Sequence, residues 1–325
     1  MSVRLSTALA AGAVALPEGR VLLMRPPADL DLDGLGPDRL HAVHGFRPAH
    51  DALTARGLSV APRLEVEVEG AVVFVSRSKA QTRDMIAQAC AAVPAGGPVV
   101  VDGAKADGVE SILRDCRRAF TVGEVFAKAH GKCFAFPAQP APGDWHDLPR
   151  HVAGFVTRAG VFSADGVDPG SALLARHLRD LDGTVCDLGA GWGYLARAVL
   201  ASDRVTAVAL VEAERDALDC ARENIADARA AYHWADATIW RGGPFDTVIS
   251  NPPFHTSRKA DPELGRAFVR AAADLTAPRG RFVLVANRHL PYEATLAEVF
   301  AQVVVLADEA GYKVIDARRP KRRRT

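Results

Sequence analysis

Cysteine is scarce in this chain and never closely paired. Cys90, Cys116, Cys133, Cys186 and Cys220 include no Cys-x-x-Cys step, and none has a histidine at metal-ligand spacing. A disulfide framework and a structural zinc site are therefore not expected, nor is any other metal, and the thiols read as those of a reduced, cytoplasmic protein. No apolar run approaches the ~20 residues that a membrane-spanning helix needs, so no membrane partner is expected. The Ala-rich start, Met1 to Ala15, has only Arg4 as a charge and could pass for a short secretion signal. Pro17-Glu18-Gly19-Arg20 then leads straight into the strand-like Val21 to Met24, which favours a folded start over a cleaved one. Excess charge is missing too, since 40 basic and 39 acidic residues leave +1. A nucleic-acid partner would have to be met by a local basic patch. No short-period repeat is present, which argues against a solenoid.

What is present is enough for two cores. Hydrophobic residues make up 49% of the 325 and charged residues 24%, and one core rarely grows much beyond about 250 residues. Four prolines, Pro137, Pro140, Pro142 and Pro149, interrupt the stretch from Phe136 to Arg150. Proline has no amide donor and restricts its predecessor, so this stretch resists helix and central strand alike. The expected organisation is a first domain over 1–136, a linker over 137–150, a second domain over 151–318 and a basic tail over 319–325.

The second half alternates strand and helix. Strands are expected at Thr184–Asp187, Val205–Val211, Asp246–Ser250, Arg281–Ala286, Gln302–Leu306 and Tyr312–Ala317. Helices are expected at Ser171–Arg179, Tyr194–Ala201, Glu214–Ala226, Glu263–Leu275 and Tyr292–Phe300. That spacing implies an α/β fold, a mostly parallel sheet with helices on both faces. The first half repeats the pattern more faintly, with strands at Val21–Met24, Ala71–Ser76, Pro98–Val101 and Lys132–Phe136 and helices at Ser78–Val93 and Val109–Arg118.

Two motifs carry chemistry. The first is Asp187-Leu188-Gly189-Ala190-Gly191-Trp192-Gly193, at the end of a strand and the start of a helix. Glycines let a ligand approach the backbone, and the helix start adds unpaired amides. The even glycine spacing behind an acid differs from the Gly-x-Gly-x-x-Gly of dinucleotide sites and suits S-adenosylmethionine, whose amino-acid end is a zwitterion. Glu212 ends the next strand, where a carboxylate can accept the ribose hydroxyls. Asp236 falls where a third strand should end and could take the adenine amine.

The second motif is Asn251-Pro252-Pro253-Phe254-His255, directly after a buried strand. The prolines stop the ladder and stiffen the turn, holding Asn251 at the sheet's carboxyl edge. Methylation of a planar exocyclic amine fits these groups. The Asn251 oxygen and a proline carbonyl can accept its N–H bonds and aim its lone pair. Phe254 can stack on the target base, and His255 is as well explained by an exposed loop as by substrate contact.

The chain resembles the bacterial ribosomal RNA guanine-N2 methyltransferases, the small-subunit (16S) type first and its large-subunit relative second. The resemblance rests on Gly160 to Ser163, Asp168 to Ser171, Asp187 to Gly193, Ile249 to His255, Val285 to Tyr292 and Gly311 to Val314. It implies two tandem class I (Rossmann-like) methyltransferase domains, the N-terminal one degenerate. Ser76-Arg77-Ser78-Lys79, Val99 to Gly103 and His130 to Cys133 match its landmarks, but no glycine triplet and no Asn-Pro-Pro-Phe occur there. The resemblance assigns the reaction to Asn251, Pro252, Pro253 and Phe254. It assigns the cofactor to Asp187, Gly189, Gly191, Gly193, Glu212 and Asp236, with Phe162 and Ser171 lining the pocket. The implied partner is ribosomal RNA or the small ribosomal subunit, met by a monomer.

RNA contact is expected from Arg77, Lys79, Arg258, Lys259 and Arg288, and from the basic run Arg318 to Arg324. The target base would have to be unstacked to reach Phe254. The same motifs leave open an adenine or a protein glutamine as acceptor. They also leave open an RNA-binding assembly factor with a relic cofactor site.

Overall fold

Strands buried on both faces read as apolar runs, and two such sets organise this chain into two seven-stranded sheets. The computed structural model describes residues 3–253, 262–290 and 292–321. Phe254, His255, Arg258, Lys259 and Arg322 to Arg324 lie outside the described residues. The chain divides into two compact units, Met1–Leu148 and Pro149–Thr325.

The first unit holds α1 (Arg4–Ala10), β1 (Val21–Met24), β2 (Leu40–Val43), α2 (Arg47–Ala55), β3 (Ser59–Ala61) and β4 (Gly70–Phe74). It continues with α3 (Lys79–Ala92), β5 (Pro98–Ala104), α4 (Val109–Ala119), β6 (Val125–Lys128) and β7 (Gly131–Pro137). Its sheet runs β3-β2-β1-β4-β5-β7-β6, parallel except for the pairs made by β7. The two-residue period of a strand splits each one between two cores. Val21 and Leu23 of β1 pack with Leu40 and Leu53 on one side; Leu22 and Met24 pack with Ile86 and Ile112 on the other.

Three features of this unit depart from the sequence reading. Strands β2, β3 and β6 and helix α2 were not foreseen, and β3 and β6 are short and half-exposed. The Ala-rich start folds into α1, which buries Leu5 and Ala8 completely. Arg4 is drawn in with them. Its Nε and Nη2 donate to the two oxygens of Asp102 at 2.6 and 3.1 Å, and the side chains are only 8% and 1% exposed. In the proline-rich stretch, β7 runs to Pro137. A single 3-10 turn, Gly143–Trp145, then buries Trp145 edge-on against Phe120.

The second unit opens with a hairpin, β8 (Arg150–Val152) and β9 (Phe155–Thr157). There follow α5 (Pro169–Ala175), β10 (Gly183–Leu188), α6 (Tyr194–Leu200), β11 (Val205–Glu212), α7 (Arg215–Asn224) and β12 (Ala230–Trp234). The last elements are β13 (Phe245–Ser250), α8 (Pro262–Leu275), β14 (Thr276–Asn287), α9 (Tyr292–Val299), β15 (Phe300–Glu309) and β16 (Tyr312–Pro320). The sheet order is β12-β11-β10-β13-β14-β16-β15. Counted from the first strand of each sheet, this is the order of the first unit, again with the last strand inserted antiparallel. The expected tandem of α/β sheets is therefore present, and the two halves share one topology.

Alternation again sets two cores. Val185, Leu210, Ile249 and Val283 face one, and Cys186, Leu188, Val248 and Phe282 the other. Helix α5 is shorter than expected, and β14 and β15 are longer. All five cysteines are buried free thiols, and burial pushes them up, Cys90 to about 11 and Cys116 to about 12. Among the described residues, no helix is long and apolar enough to cross a membrane, and no group of three or more His, Cys, Asp or Glu could hold a metal.

Candidate active site

The carboxyl ends of β10 and β13 lie side by side, and the chain fixes them to each other. Asp187 pairs with Ile249 across the ladder, and one step on the Ser250 hydroxyl donates to the Leu188 carbonyl at 2.6 Å, fully buried. The next residues are Gly189 on one strand and Asn251 on the other.

After β10 the backbone turns three times through the left-handed region, at Gly189 (φ +80°), Gly191 (φ +54°) and Gly193 (φ +89°). Side chains rarely adopt that conformation, which explains the triplet. The amides of Gly189 and Ala190 both donate to the Val211 carbonyl. The Gly191 amide donates to Glu212 Oε2 at 2.7 Å, and Glu212 Oε1 accepts from the Glu214 amide at 2.8 Å. Glu212 is thus the acid that shapes the glycine loop. Burial raises its carboxyl above the usual range, against the pull of those amides.

Asp187 lies beneath the loop. It is completely buried, and neither carboxylate oxygen has a hydrogen-bond partner. Burial pushes its carboxyl up to about 7; the Ala196 amide in the first turn of α6 opposes this, and the charge on Glu212 adds to it. A buried acid without a hydrogen-bond partner is costly to the fold.

Asn251 is half-buried at the end of β13. Its Nδ2 donates to Asp168 Oδ2 at 2.9 Å and to Ser171 Oγ at 2.8 Å. Its Oδ1 is buried and has no partner. Asp168 and Ser171 come from the start of α5, where Asp168 caps the helix by accepting the Ser171 amide at 2.7 Å. Pro252 is buried and Pro253 exposed.

A cleft with about 380 Å³ of empty space, part of it open to solvent, is lined by the glycine loop, the start of α5 and Asn251, but not by Asp187 or Glu212. Of the residues singled out from the sequence, Phe162, Ser171, Gly189, Gly191 and Asn251 line it. Asp168, Trp192 and Tyr194 line it as well, and the sequence reading gave them no role. Phe162 leaves 62% of its surface exposed, while its carbonyl accepts from Trp192 Nε1 at 2.9 Å. Trp192 in turn packs on Phe155 of the β8–β9 hairpin, and Asn224 of α7 ties both down through the carbonyls of Trp192 and Val156, each at 2.9 Å. Gly193 caps α6 rather than lining the cleft. Asp236 sits two residues past β12, and its Oδ1 accepts from the amide and hydroxyl of Thr238 at 2.8 and 2.7 Å, closing its own turn.

The first unit has no counterpart to this arrangement. There β1 is followed by Arg25-Pro26-Pro27, β2 by His44-Gly45 and β4 by Val75-Ser76. No glycine triplet, strand-ending acid or Asn-Pro step stands at those edges. His44 is buried, accepts the Phe46 amide at Nδ1, and is lowered to about 3 by burial and by the nearby charge of Arg25.

Four of the described cations expected to meet RNA are engaged within their own units. Lys79 pairs with Asp115 at 2.7 Å, Arg77 lies 3.8 Å from Asp107, and Arg288 pairs with Asp308 at 2.6 Å. Arg318 belongs to β16 and bonds to Asp316. Arg77–Asp107 and Arg288–Asp308 are open to water on both sides and therefore weak, whereas Asp115 and Asp316 are buried carboxylates that hold their cations more firmly.

Residues 153–316 match the Methyltransferase small domain family. A ribosomal RNA small subunit methyltransferase C from Shewanella loihica is 30% identical over 260 residues, 76% of each chain. Another from Idiomarina loihiensis is 28% identical over 269 residues, 77% of this chain and 78% of that one. The T. thermophilus 16S rRNA N2 G1207 methyltransferase (RsmC), solved with AdoMet and guanosine, superposes with a TM-score of 0.77 at 26% identity. That superposition covers 94% of this chain and 90% of that one. With its tandem sheets and its single glycine-loop cleft among the described residues, this chain belongs to the methyltransferase small-domain family, in the group of the ribosomal RNA small subunit methyltransferases C.

Proposed function

We propose that this chain transfers the methyl group of S-adenosylmethionine to the exocyclic N2 amine of a guanine in 16S ribosomal RNA. The observation that carries the reading is the buried, unpartnered Oδ1 of Asn251 at the rim of the glycine-loop cleft. It is a lone hydrogen-bond acceptor, and an N–H of an aromatic amine is the donor it fits. The tandem architecture shared with the RNA guanine-N2 enzyme favours guanine in RNA over other amines.

The residues present fit the cofactor, which would supply an electrophilic methyl on a sulfonium. Asp187 offers a buried carboxylate without a partner, matched to a cationic amino group. The glycine loop offers backbone without side chains. Glu212 holds the loop in shape and keeps lone pairs for ribose hydroxyls. Asn251 Oδ1, with the Pro252 carbonyl, accepts the amine hydrogens and turns the nitrogen lone pair toward the methyl. No strong base is needed, because the nitrogen becomes acidic once the C–N bond has formed. Phe254 follows in sequence as the stacking platform for the base.

The test is methyl transfer from labelled cofactor to ribosomal RNA, small subunits and protein from cells lacking this gene, with mass spectrometry of the product. N2-methylguanosine in 16S RNA is the expected result. Label in adenine, in protein or nowhere would overturn the reading.

A further inference from the structure

A carboxamide presents two ends of nearly the same shape and opposite hydrogen-bonding sense, and a half-turn exchanges them. The proposed chemistry needs the oxygen of Asn251 in the cleft; the reverse orientation would show the substrate amine two donors. Both hydrogens of Nδ2 are in use, one on Asp168 and one on Ser171. These two partners are not equivalent. A serine hydroxyl donates as well as accepts, so Ser171 would tolerate either orientation. A carboxylate only accepts, so turning Asn251 would set its oxygen against Asp168 Oδ2 at hydrogen-bond distance, acceptor against acceptor.

We infer that Asp168 is a positioning residue of this site: its carboxylate fixes the Asn251 amide with the oxygen toward the substrate, and so selects a target that carries N–H. Its own place is firmly set. The same Oδ2 accepts the Ser171 amide, and a Cβ on Gly170 would fall 3.0 Å from that oxygen and 2.9 Å from Tyr312 Cε1. Helix start, tyrosine ring and carboxylate are packed without slack.

The inference rests on the proposed chemistry, and the test separates the two by using whichever methyl acceptor the wild-type protein labels. Asp168→Ser keeps a good N-cap but shortens the side chain and replaces an obligate acceptor with a hydroxyl. The expected result is a kcat lower by about 10- to 100-fold, with cofactor Kd and substrate KM within about threefold. Asp168→Asn, which keeps the oxygen without the charge, should recover part of the loss. In an Asn251→Ala background, Asp168→Ser should change the residual rate by less than about threefold, because there is no amide left to orient. A kcat within threefold of wild type would overturn the assignment. So would an equal loss in both backgrounds, or a loss confined to cofactor affinity. If Asp168→Ser fails to fold, the same cycle run with Asp168→Asn decides.

Discussion

The Gly191 amide and the Glu212 carboxylate are joined by a 2.7 Å hydrogen bond across 21 residues of chain. It links the glycine loop after one strand to the acid that ends the next, so the loop is held by the protein's own side chain. Asp187, the second acid, sits below that loop with no hydrogen-bond partner. One acid shapes the loop, and the other is the buried carboxylate proposed to meet the cofactor's cationic amino group.

On the proposed role, Asp187 costs the fold stability that cofactor binding would recover. Its folded value of about 7 lies above the ordinary 3.8 of an aspartate. The folded state holds the extra proton between those values, so stability falls as pH rises through that window, and the penalty is complete above it. At about 1.4 kcal/mol per unit, discounted for relaxation, the penalty is on the order of 3 kcal/mol. Asp187→Asn should raise the midpoint of urea unfolding at pH 8 and leave it nearly unchanged at pH 4. Calorimetry on the same variant should show cofactor affinity weakened at least about tenfold. Equal stabilisation at both pH values would mean that titration of Asp187 is not the cause.

Asn251→Ala removes the acceptor at the cleft and leaves the loop intact. Turnover should fall by about 100-fold or more, with cofactor affinity within about threefold of wild type. Single-turnover methyl transfer alongside calorimetry separates the two quantities. Retention of most of the activity would place amine orientation elsewhere.

His44 predicts acid sensitivity in the first unit. Its folded value of about 3 lies below the ordinary 6.5 of a histidine. The unfolded state binds the extra proton between them, so stability is full above about 6.5 and is lost as pH falls toward 3. His44→Asn, whose oxygen can take over the Phe46 amide, should flatten the slope of unfolding free energy between pH 6 and 4 by up to about 1.4 kcal/mol per unit. An unchanged slope would assign the acid sensitivity to other groups.

Arg4→Ala would leave Asp102 buried without its ion partner, which costs about 3–5 kcal/mol. The groups proposed to bind the cofactor all belong to the second unit. Denaturation followed by tryptophan fluorescence should show the loss, while cofactor affinity measured under native conditions stays within about threefold. A stability change below about 1 kcal/mol would show that the buried pair is dispensable.

Legibility from sequence followed the range of the interaction. The glycine triplet, Glu212 and Asn251 could be read because each lies at or just after the end of a strand, where the residue itself carries the signal. Asp168 was visible as the start of a helix, in Asp168-Pro169-Gly170-Ser171, yet its partner Asn251 is 83 residues away. The same holds for Arg4 and Asp102, 98 residues apart, where an Ala-rich start gave no hint of a buried charge. Asp236 fell at the expected strand end, but local hydrogen bonds to Thr238 occupy its Oδ1. Strands β3 and β6 escaped because a three- or four-residue edge strand, half open to water, carries no clear alternation.

The inserted position of β16 has a consequence for synthesis. β15 borders only β16, so the strand made earlier has no neighbour until the later one slides between it and β14. During translation the second sheet stays open along two edges until residues 312–320 have left the ribosome. The first sheet closes its own gap at Gly131–Pro137, before the glycine loop has been made. Domains tend to fold as units in the order of their emergence. A chain cut short at Gly311 would thus carry a complete first sheet and an incomplete second one, with β14 and β15 left as unpaired edges.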